Sequence, residues 1–381
     1  MRGSINSVSF PIRPGRVVLA ILLLCSAAAY GHDGLAHTKS PSKSIWFFRA
    51  DSAQATLQRD FWNPQAKIFY SSSSRSGDLN YWWQAHALDV LVDGFDRTDN
   101  PDYVARISSL FQGVSTQNDG FTNNYDDDMA WMALALLRAY RCTGDKRYKT
   151  VAESLWDTIK EGWDANLGGG VYWQRNPHTY KNTPANAPAC ILACRLYDET
   201  GDSTDLEWAE KMHFWLKSTL VDTATGVVWD GIDTKGRVSR AQYSYNYGTY
   251  LDACLELYRI TRNPSNLNEA VTTAKAADSV FASGGVLRSE GTGDGGLFNG
   301  IYVQYLVELT IEPDLDDSLR IKFESFLYDN AVTLWERGQI QGMGLFNDNW
   351  NSPPSGSVNL SVELSGLLLL EAEAKLSTHV K

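Results

Sequence analysis

Residues 126–145 read Asp-Asp-Asp-Met-Ala-Trp-Met-Ala-Leu-Ala-Leu-Leu-Arg-Ala-Tyr-Arg-Cys-Thr-Gly-Asp. The apolar part is long enough for about four helical turns, and a glycine and an aspartate follow it directly. A glycine there can adopt the left-handed conformation that ends a helix, and the aspartate can cap the next helix. The stretch therefore predicts two helices joined by a tight turn.

The same kind of turn recurs along the chain. Thr200-Gly201-Asp202 repeats it closely, and Arg97–Asn100 and Thr261–Pro264 stand at equivalent places between apolar runs. The turns lie roughly 45 to 60 residues apart, which is a period typical of repeated helical hairpins.

Apolar residues spaced by 3.6 positions predict twelve helices. They lie near residues 45–61, 80–95, 100–113, 128–142, 145–162, 184–199, 203–220, 242–260, 265–282, 298–311, 315–336 and 358–377. Six hairpins can close into an all-α toroid, the (α/α)6 barrel. An open solenoid is the alternative, but it requires polar terminal repeats, and the last helix is apolar from Val358 to Leu370. We expect a closed barrel.

The joins that are not tight turns are longer and rich in glycine. Asn166–Arg175 and Thr225–Gly231 have the composition of short β-hairpins. If the tight turns share one face of the barrel, these loops share the other, where functional residues are expected.

The N-terminus has the pattern of a secretory signal. Three arginines precede an apolar run at residues 17–25, and small residues follow to Gly31. A membrane anchor is the alternative, but spanning a bilayer takes about 20 apolar residues. We expect a signal peptide at residues 1–31, one catalytic domain at 32–381, and a secreted, extracellular protein with no membrane attachment.

Composition and charge narrow the possible partners. The formal net charge of −11 disfavours nucleic acid and anionic membranes, whereas the 13 Trp and 18 Tyr residues suit a polysaccharide or simply a large aromatic core. No zinc-type spacing of Cys and His and no nucleotide-binding fingerprint occurs. Cys190 and Cys194, four apart in an apolar run, are expected to be buried thiols. We expect no cofactor, no metal and a monomer.

Three consecutive aspartates open the quoted stretch. Carboxylates are favoured at a helix start by its free N–H groups and dipole, so an acidic cap is one interpretation, and a calcium site is another. Glycosidase chemistry is the third, because it requires two carboxyl groups. Neighbouring residues favour the separation of about 5–5.5 Å typical of retaining enzymes over the 6.5–9.5 Å of inverting ones.

The run Tyr125–Leu136 resembles the aspartate-pair motif of glycoside hydrolase family 76, the endo-α-1,6-mannanases. Further similar blocks are Tyr81–Asp89, Gly168–Trp173, Tyr180–Asn186, Tyr245–Gly248, Leu297–Ile301 and Ser357–Glu363. The resemblance implies an (α/α)6 barrel that hydrolyses α-mannan, with Asp127 as nucleophile and Asp128 as general acid/base. The sequence departs from the family pattern at Asn299 and Gln304, where Lys and Arg are expected, which affects sugar subsites rather than the catalytic pair.

Further candidates for substrate binding come from the same blocks and, for Trp350, from the loop before the last block. Tryptophan can stack on a sugar ring, although core packing explains Trp83 as well; asparagine and glutamine can bond sugar hydroxyls, although helix capping is the alternative role for the asparagines. The candidates are Trp82, Trp83, Gln84, Asp126, Trp173, Asn182, Asn186, Asn246, Asn299 and Trp350.

Rival functions are a cell-wall transglycosylase using the same site and a non-catalytic carbohydrate-binding protein. The presence of both aspartates disfavours the second rival.

Overall fold

Twelve α-helices alternate between two layers in the computed structural model, which describes residues 44–379. They are α1 (Ile45–Thr56), α2 (Tyr81–Thr98), α3 (Pro101–Gln117), α4 (Asp126–Thr143), α5 (Lys146–Glu161), α6 (Thr183–Thr200), α7 (Ser203–Thr219), α8 (Ser244–Thr261), α9 (Pro264–Phe281), α10 (Gly295–Thr310), α11 (Asp317–Arg337) and α12 (Leu360–His379). From α2 to α12, both ends of each helix lie within four residues of the predicted ends, whereas α1 ends five residues early. A π-helical turn, Leu57–Phe61, extends α1 and accounts for the longer first prediction.

The even-numbered helices form a closed inner ring. Each packs on the next, from α2 through α4, α6, α8 and α10 to α12, and α12 returns to α2. The odd-numbered helices pack outside this ring, each against an inner neighbour. The (α/α)6 prediction is therefore confirmed, and the open solenoid is excluded.

Hydrophobicity separates the two layers. The outer α5 buries one stripe of side chains with helical spacing, from Tyr148 to Ile159. The inner α6 is buried without a break from Thr183 to Cys194, since it has neighbours on every side. An apolar run without polar interruptions therefore indicates an inner helix in this chain.

The tight turns end the inner helices as predicted. Gly144 and Gly201 adopt left-handed conformations, with φ of 72° and 74°. Asp145 and Asp202 then accept hydrogen bonds from the first turns of α5 and α7. Since every inner helix runs in the same direction, all six N-termini lie at one mouth of the barrel, where the long joins also lie.

Short β-strands occur in the long segments that connect the helices. They are β1 (Trp62–Asn63), β2 (Ile68–Phe69), β3 (Tyr180–Asn182), β4 (Val221–Asp222), β5 (Val227–Val228), β6 (Gly231–Asp233), β7 (Val238–Ser239), β8 (Ala282–Ser283) and β9 (Val286–Leu287). All pairings are antiparallel, and β6 lies between β3 and β7.

The two predicted β-hairpins have different outcomes. Val227–Val228 does pair back on Val221–Asp222 across Gly226, so a hairpin forms there. The prediction for Asn166–Arg175 is wrong, because Asn166–Gly168 is a 3-10 turn and the rest makes only isolated bridges. The three glycines at 168–170 all have positive φ, which bends this segment away from a strand path.

Buried ion pairs join inner helices near their C-terminal ends. Arg138 of α4 contacts Asp89 and Asp93 of α2, at 2.8 and 2.5 Å. Arg195 of α6 contacts Asp252 of α8 at 2.9 Å. Removing Arg195 would leave the fully buried Asp252 without its ion-pair partner, a type of change that costs about 3–5 kcal/mol.

The predicted secretory signal, residues 1–31, lies outside the described residues. Within residues 44–379, no helix combines the length and the apolar character that crossing a bilayer requires. The four cysteines of that part of the chain are free thiols, and Cys190 and Cys194 are fully buried, as predicted.

Candidate active site

The acidic run, Asp126–Asp128, lies at the start of α4, at the mouth of the barrel. The helix begins at Asp126, and its N-cap residue Tyr125 provides no side-chain cap. The glycine-rich segment holds this start in place, because the Asp126 N–H donates to the Trp173 carbonyl at 3.0 Å. The three carboxyl groups therefore point in three directions from one helical turn.

Asp127 and Asp128 are partly buried and receive different hydrogen bonds. Asp127 accepts from the Trp173 indole N–H and from the backbone N–H of Asp128, both at 2.9 Å. Asp128 accepts from the Asn123 side-chain amide, also at 2.9 Å. Asp127 has the stronger stabilisation of its ionised form, since it has two donors.

Burial sets the electrostatics of this pair. It raises the pKa of Asp127, and the neighbouring charge of Asp128 raises it further. Burial also raises the pKa of Asp128, to about 7, against the opposing effect of the Asn123 hydrogen bond. The pair can therefore hold a proton near neutral pH, as one acid and one carboxylate.

Asp126 has a different environment. It is fully buried, and neither carboxyl oxygen has a hydrogen-bond partner. Arg175 is 3.9 Å away, yet burial dominates and raises the pKa of Asp126 to about 7. This burial favours a structural role for Asp126, and its predicted substrate contact stays a prediction.

Two tryptophans of α2 meet an aspartate across the mouth. The indole N–H groups of Trp82 and Trp83 both donate to Oδ1 of Asp294, at 3.2 Å each. Asp294 is exposed at the start of α10, and its charge raises the pKa of Asp128. It is a candidate site residue that the sequence analysis missed.

An aromatic pair and a second aspartate form the wall on the α8 side. Tyr245 stacks on Phe298, with ring centroids 4.0 Å apart and planes 9° from parallel. Burial, followed by the charges of Asp230 and Asp127, raises the pKa of Tyr245 well above its usual range. Asp230 accepts from the Tyr180 hydroxyl at 2.6 Å. Sequence reasoning also missed Tyr245, Asp230 and Phe298 as site residues.

Several predicted sugar contacts have structural roles instead. Gln84 has both amide atoms on the backbone of Phe69, at 2.8 and 3.0 Å. Asn182 caps α6, and Asn186 holds the glycine-rich segment through both backbone groups of Val171. The amide atoms of Gln84 and Asn186 and the Oδ1 of Asn182 are therefore engaged inside the protein, and sugar contacts by these three side chains stay predictions.

Four other candidates are also buried. Asn299 donates to the Arg288 carbonyl, and Asn246 lies against Asp230. Trp350 is 1% exposed and Trp83 is 6% exposed, so neither ring face is available for stacking. Burial therefore favours packing roles for these four side chains, and their substrate contacts stay predictions, as do those of the partly exposed Trp82 and Trp173.

Metal-ligating side chains come together elsewhere. Among residues 44–379, one group of Cys, His and carboxylate side chains has the separations a metal ion requires, and it excludes the aspartates of α4. The chemistry available at the mouth is that of paired carboxyl groups beside aromatic rings. This combination suits acid-assisted displacement at a sugar carbon.

Comparisons with known proteins agree with this chemistry. A family model described as glycosyl hydrolase family 76 matches residues 48–377. The α-1,6-mannanase GH76A of Salegentibacter sp. HEL1_6 is 41% identical, with a TM-score of 0.85 over 87% of this chain and 99% of that one. An inactive variant of that enzyme, with two adjacent aspartates changed to asparagine, was solved with α-1,6-mannotriose; it is 40% identical, with the same TM-score and coverage.

A curated relative comes from yeast. The mannan endo-1,6-α-mannosidase DCW1 of Saccharomyces cerevisiae is 26% identical over 325 residues, which are 76% of this chain and 71% of that protein.

Proposed function

The chain belongs to glycosyl hydrolase family 76 and is a glycoside hydrolase, and on that premise we propose that it cleaves internal α-1,6-mannosidic bonds of mannan with retention of configuration. The observation that carries the proposal is the pair Asp127 and Asp128, adjacent at one helix start and both with raised pKa values. The relative whose inactive variant lacks two adjacent aspartates supports it.

The hydrogen bonds distinguish the two roles. Asp127 is the proposed nucleophile, because two N–H donors orient its carboxylate and oppose the rise in its pKa that burial causes. Asp128 is the proposed general acid, because its raised pKa keeps a proton available near pH 7.

The reaction then proceeds by two displacements. Asp127 attacks the anomeric carbon while Asp128 gives its proton to the departing oxygen, so the glycosidic bond breaks as an ester bond forms. Asp128, now a carboxylate, removes a proton from water, and that water attacks the anomeric carbon and releases Asp127. A sugar hydroxyl in place of water would give transglycosylation by the same intermediate.

Residues around the pair supply candidate sugar contacts. The half-buried faces of Tyr245 and Trp82 can stack on apolar faces of mannose rings. Asp294 is exposed beside Asp128, and its carboxylate can accept a hydrogen bond from a sugar hydroxyl. We further propose that the enzyme is secreted and acts as a monomer.

Linear α-1,6-mannan tests the function, with products sized during the first few per cent of the reaction. We expect a rapid fall in polymer length with oligosaccharides of mixed size, the result of internal cleavage. Release of mannose alone from intact polymer, or no cleavage of α-1,6-mannan, would contradict the proposal.

Substitutions in the acidic run test the site. Asp127→Asn and Asp128→Asn should each lower kcat at least about a hundredfold with the fold unchanged by circular dichroism. Asp126→Asn is the matched control within the same run. It should keep activity within about tenfold of the wild type, since neither carboxyl oxygen of Asp126 makes a hydrogen bond that the substitution could break. An inactive Asp126 variant beside active Asp127 and Asp128 variants would overturn the assignment.

A further inference from the structure

A second cluster of reactive side chains lies on three consecutive helices. His213 comes from α7, Cys254 from α8 and Glu269 from α9, and none belongs to the site described above. The imidazole Nε2 of His213 is 3.2 Å from Oε2 of Glu269 and 3.5 Å from Sγ of Cys254. One ring nitrogen therefore faces both a carboxylate and a thiol.

Hydrogen bonding engages these atoms only weakly at the sulfur. If Nε2 carries a proton, it donates to Oε2 of Glu269, which also accepts from the Tyr250 hydroxyl at 3.2 Å, and the sulfur of Cys254 can only be a weak second acceptor. If Nε2 is unprotonated, it can accept from the thiol, but its lone pair then faces a carboxylate oxygen at 3.2 Å. A cation between the three atoms would make every contact favourable.

We propose that His213, Cys254 and Glu269 bind a zinc ion. Zinc bonds of about 2.3 Å to sulfur and about 2.0–2.1 Å to nitrogen and oxygen, at tetrahedral angles, place ligand atoms about 3.3–3.6 Å apart. The observed 3.2 and 3.5 Å lie close to that range, and all three atoms lie within 4.8 Å of one another. A mixed N, S and O set is typical of zinc rather than of magnesium or calcium.

The surroundings suit a ligating carboxylate. Lys217 binds the other oxygen of Glu269, Oε1, at 2.5 Å, while Oε2 faces the imidazole and accepts from the Tyr250 hydroxyl at 3.2 Å. The thiol of Cys254 is buried and must lose its proton when zinc binds.

An open path leads to the cluster. A cavity of about 670 Å³ is lined by His213, Lys217 and Glu269 and by the exposed ring of Phe214. It can admit the ion and a water molecule as fourth ligand. Bound zinc would join α7 to α8 and α9, and so add a metal link to the ion pairs that already connect these two hairpins.

Zinc and cobalt binding to the purified, chelator-treated protein test this site. Competition with a chromophoric chelator should give one tightly bound zinc per chain. Cobalt(II), used as a spectroscopic substitute, should give a near-ultraviolet charge-transfer band that reports a thiolate–metal bond. Cys254→Ala should abolish the band and weaken zinc binding at least about a hundredfold, since the loss of mere supporting residues costs 10–100-fold.

Two further variants keep the result interpretable. Cys194→Ala removes a buried thiol outside the cluster and should leave both metals bound. Glu269→Gln is partly exposed and isosteric, so it reports the loss of a ligand even if the Cys254 variant does not fold. Absence of zinc binding in the wild type, absence of the cobalt band, or equal zinc affinity in wild type and Glu269→Gln would overturn the proposal.

Discussion

Replacing Asp126 by asparagine should stabilise the protein at neutral pH. Its carboxyl group is fully buried without a hydrogen-bond partner, and Arg175 at 3.9 Å does not offset this burial, so ionisation inside the fold is unfavourable. Asparagine has the same shape and cannot ionise, and it reproduces the protonated side chain at every pH.

The size of the effect follows from the pKa. Burial raises the pKa of Asp126 to about 7, whereas an unfolded aspartate has a pKa of about 3.9. Because the folded-state pKa is the higher one, its contribution to stability is complete below about pH 4 and is lost as pH rises through 7. The loss is roughly 4 kcal/mol, and local relaxation should leave at least about 2 kcal/mol measurable.

Urea unfolding of wild type and Asp126→Asn at pH 4 and pH 8 measures this difference. The two proteins should have similar free energies of unfolding at pH 4, and the variant should be more stable at pH 8. Asp102→Asn is the control, because Asp102 is an exposed acid in the first turn of α3. Its loss should cost about 0.3–1 kcal/mol at pH 8. An Asp126 variant less stable than wild type at pH 8 would refute the reasoning.

Three further changes have defined outcomes. Trp173→Phe removes the N–H bonded to Asp127, so the pKa of Asp127 should rise and the acidic limb of the kcat/KM profile should move up by about one pH unit; an unmoved limb contradicts this. Gly300→Ala would place a Cβ 2.5 Å from the backbone of α12 and should cost about 1–3 kcal/mol in urea unfolding, whereas Gly356→Ala, with open space, should cost little. Trp350→Ala should lower stability by about 3–5 kcal/mol and leave the KM for mannan unchanged, and the reverse pattern would show a surface role.

The helical framework could be read from the sequence because its signals are local. Apolar periodicity predicted the ends of the helices to within five residues, and Gly144 with Asp145 marked a turn whose geometry depends only on neighbouring residues. Asp127 and Asp128 could also be identified from the sequence, since one short run contains both.

The rest of the site depends on contacts between distant parts of the chain. Asp294 and Tyr245 approach the aspartates only because the inner ring closes, and no local pattern distinguishes them from other polar or aromatic residues. The cluster of His213, Cys254 and Glu269 likewise spans three helices, so a search for short zinc motifs could not find it. For Trp350, in contrast, the sequence suggested a surface residue that the structure does not show. Its loop position suggested exposure, but its loop folds inward and buries the indole.

The anomeric configuration of the first product tests the two-aspartate mechanism most directly. Proton NMR recorded in the first minutes of mannan hydrolysis distinguishes α from β reducing ends before they interconvert. Nucleophilic attack by Asp127 followed by hydrolysis predicts that α ends appear first and β ends grow later. Initial β ends would mean a single inverting displacement by water, and would contradict the role of Asp127 as nucleophile.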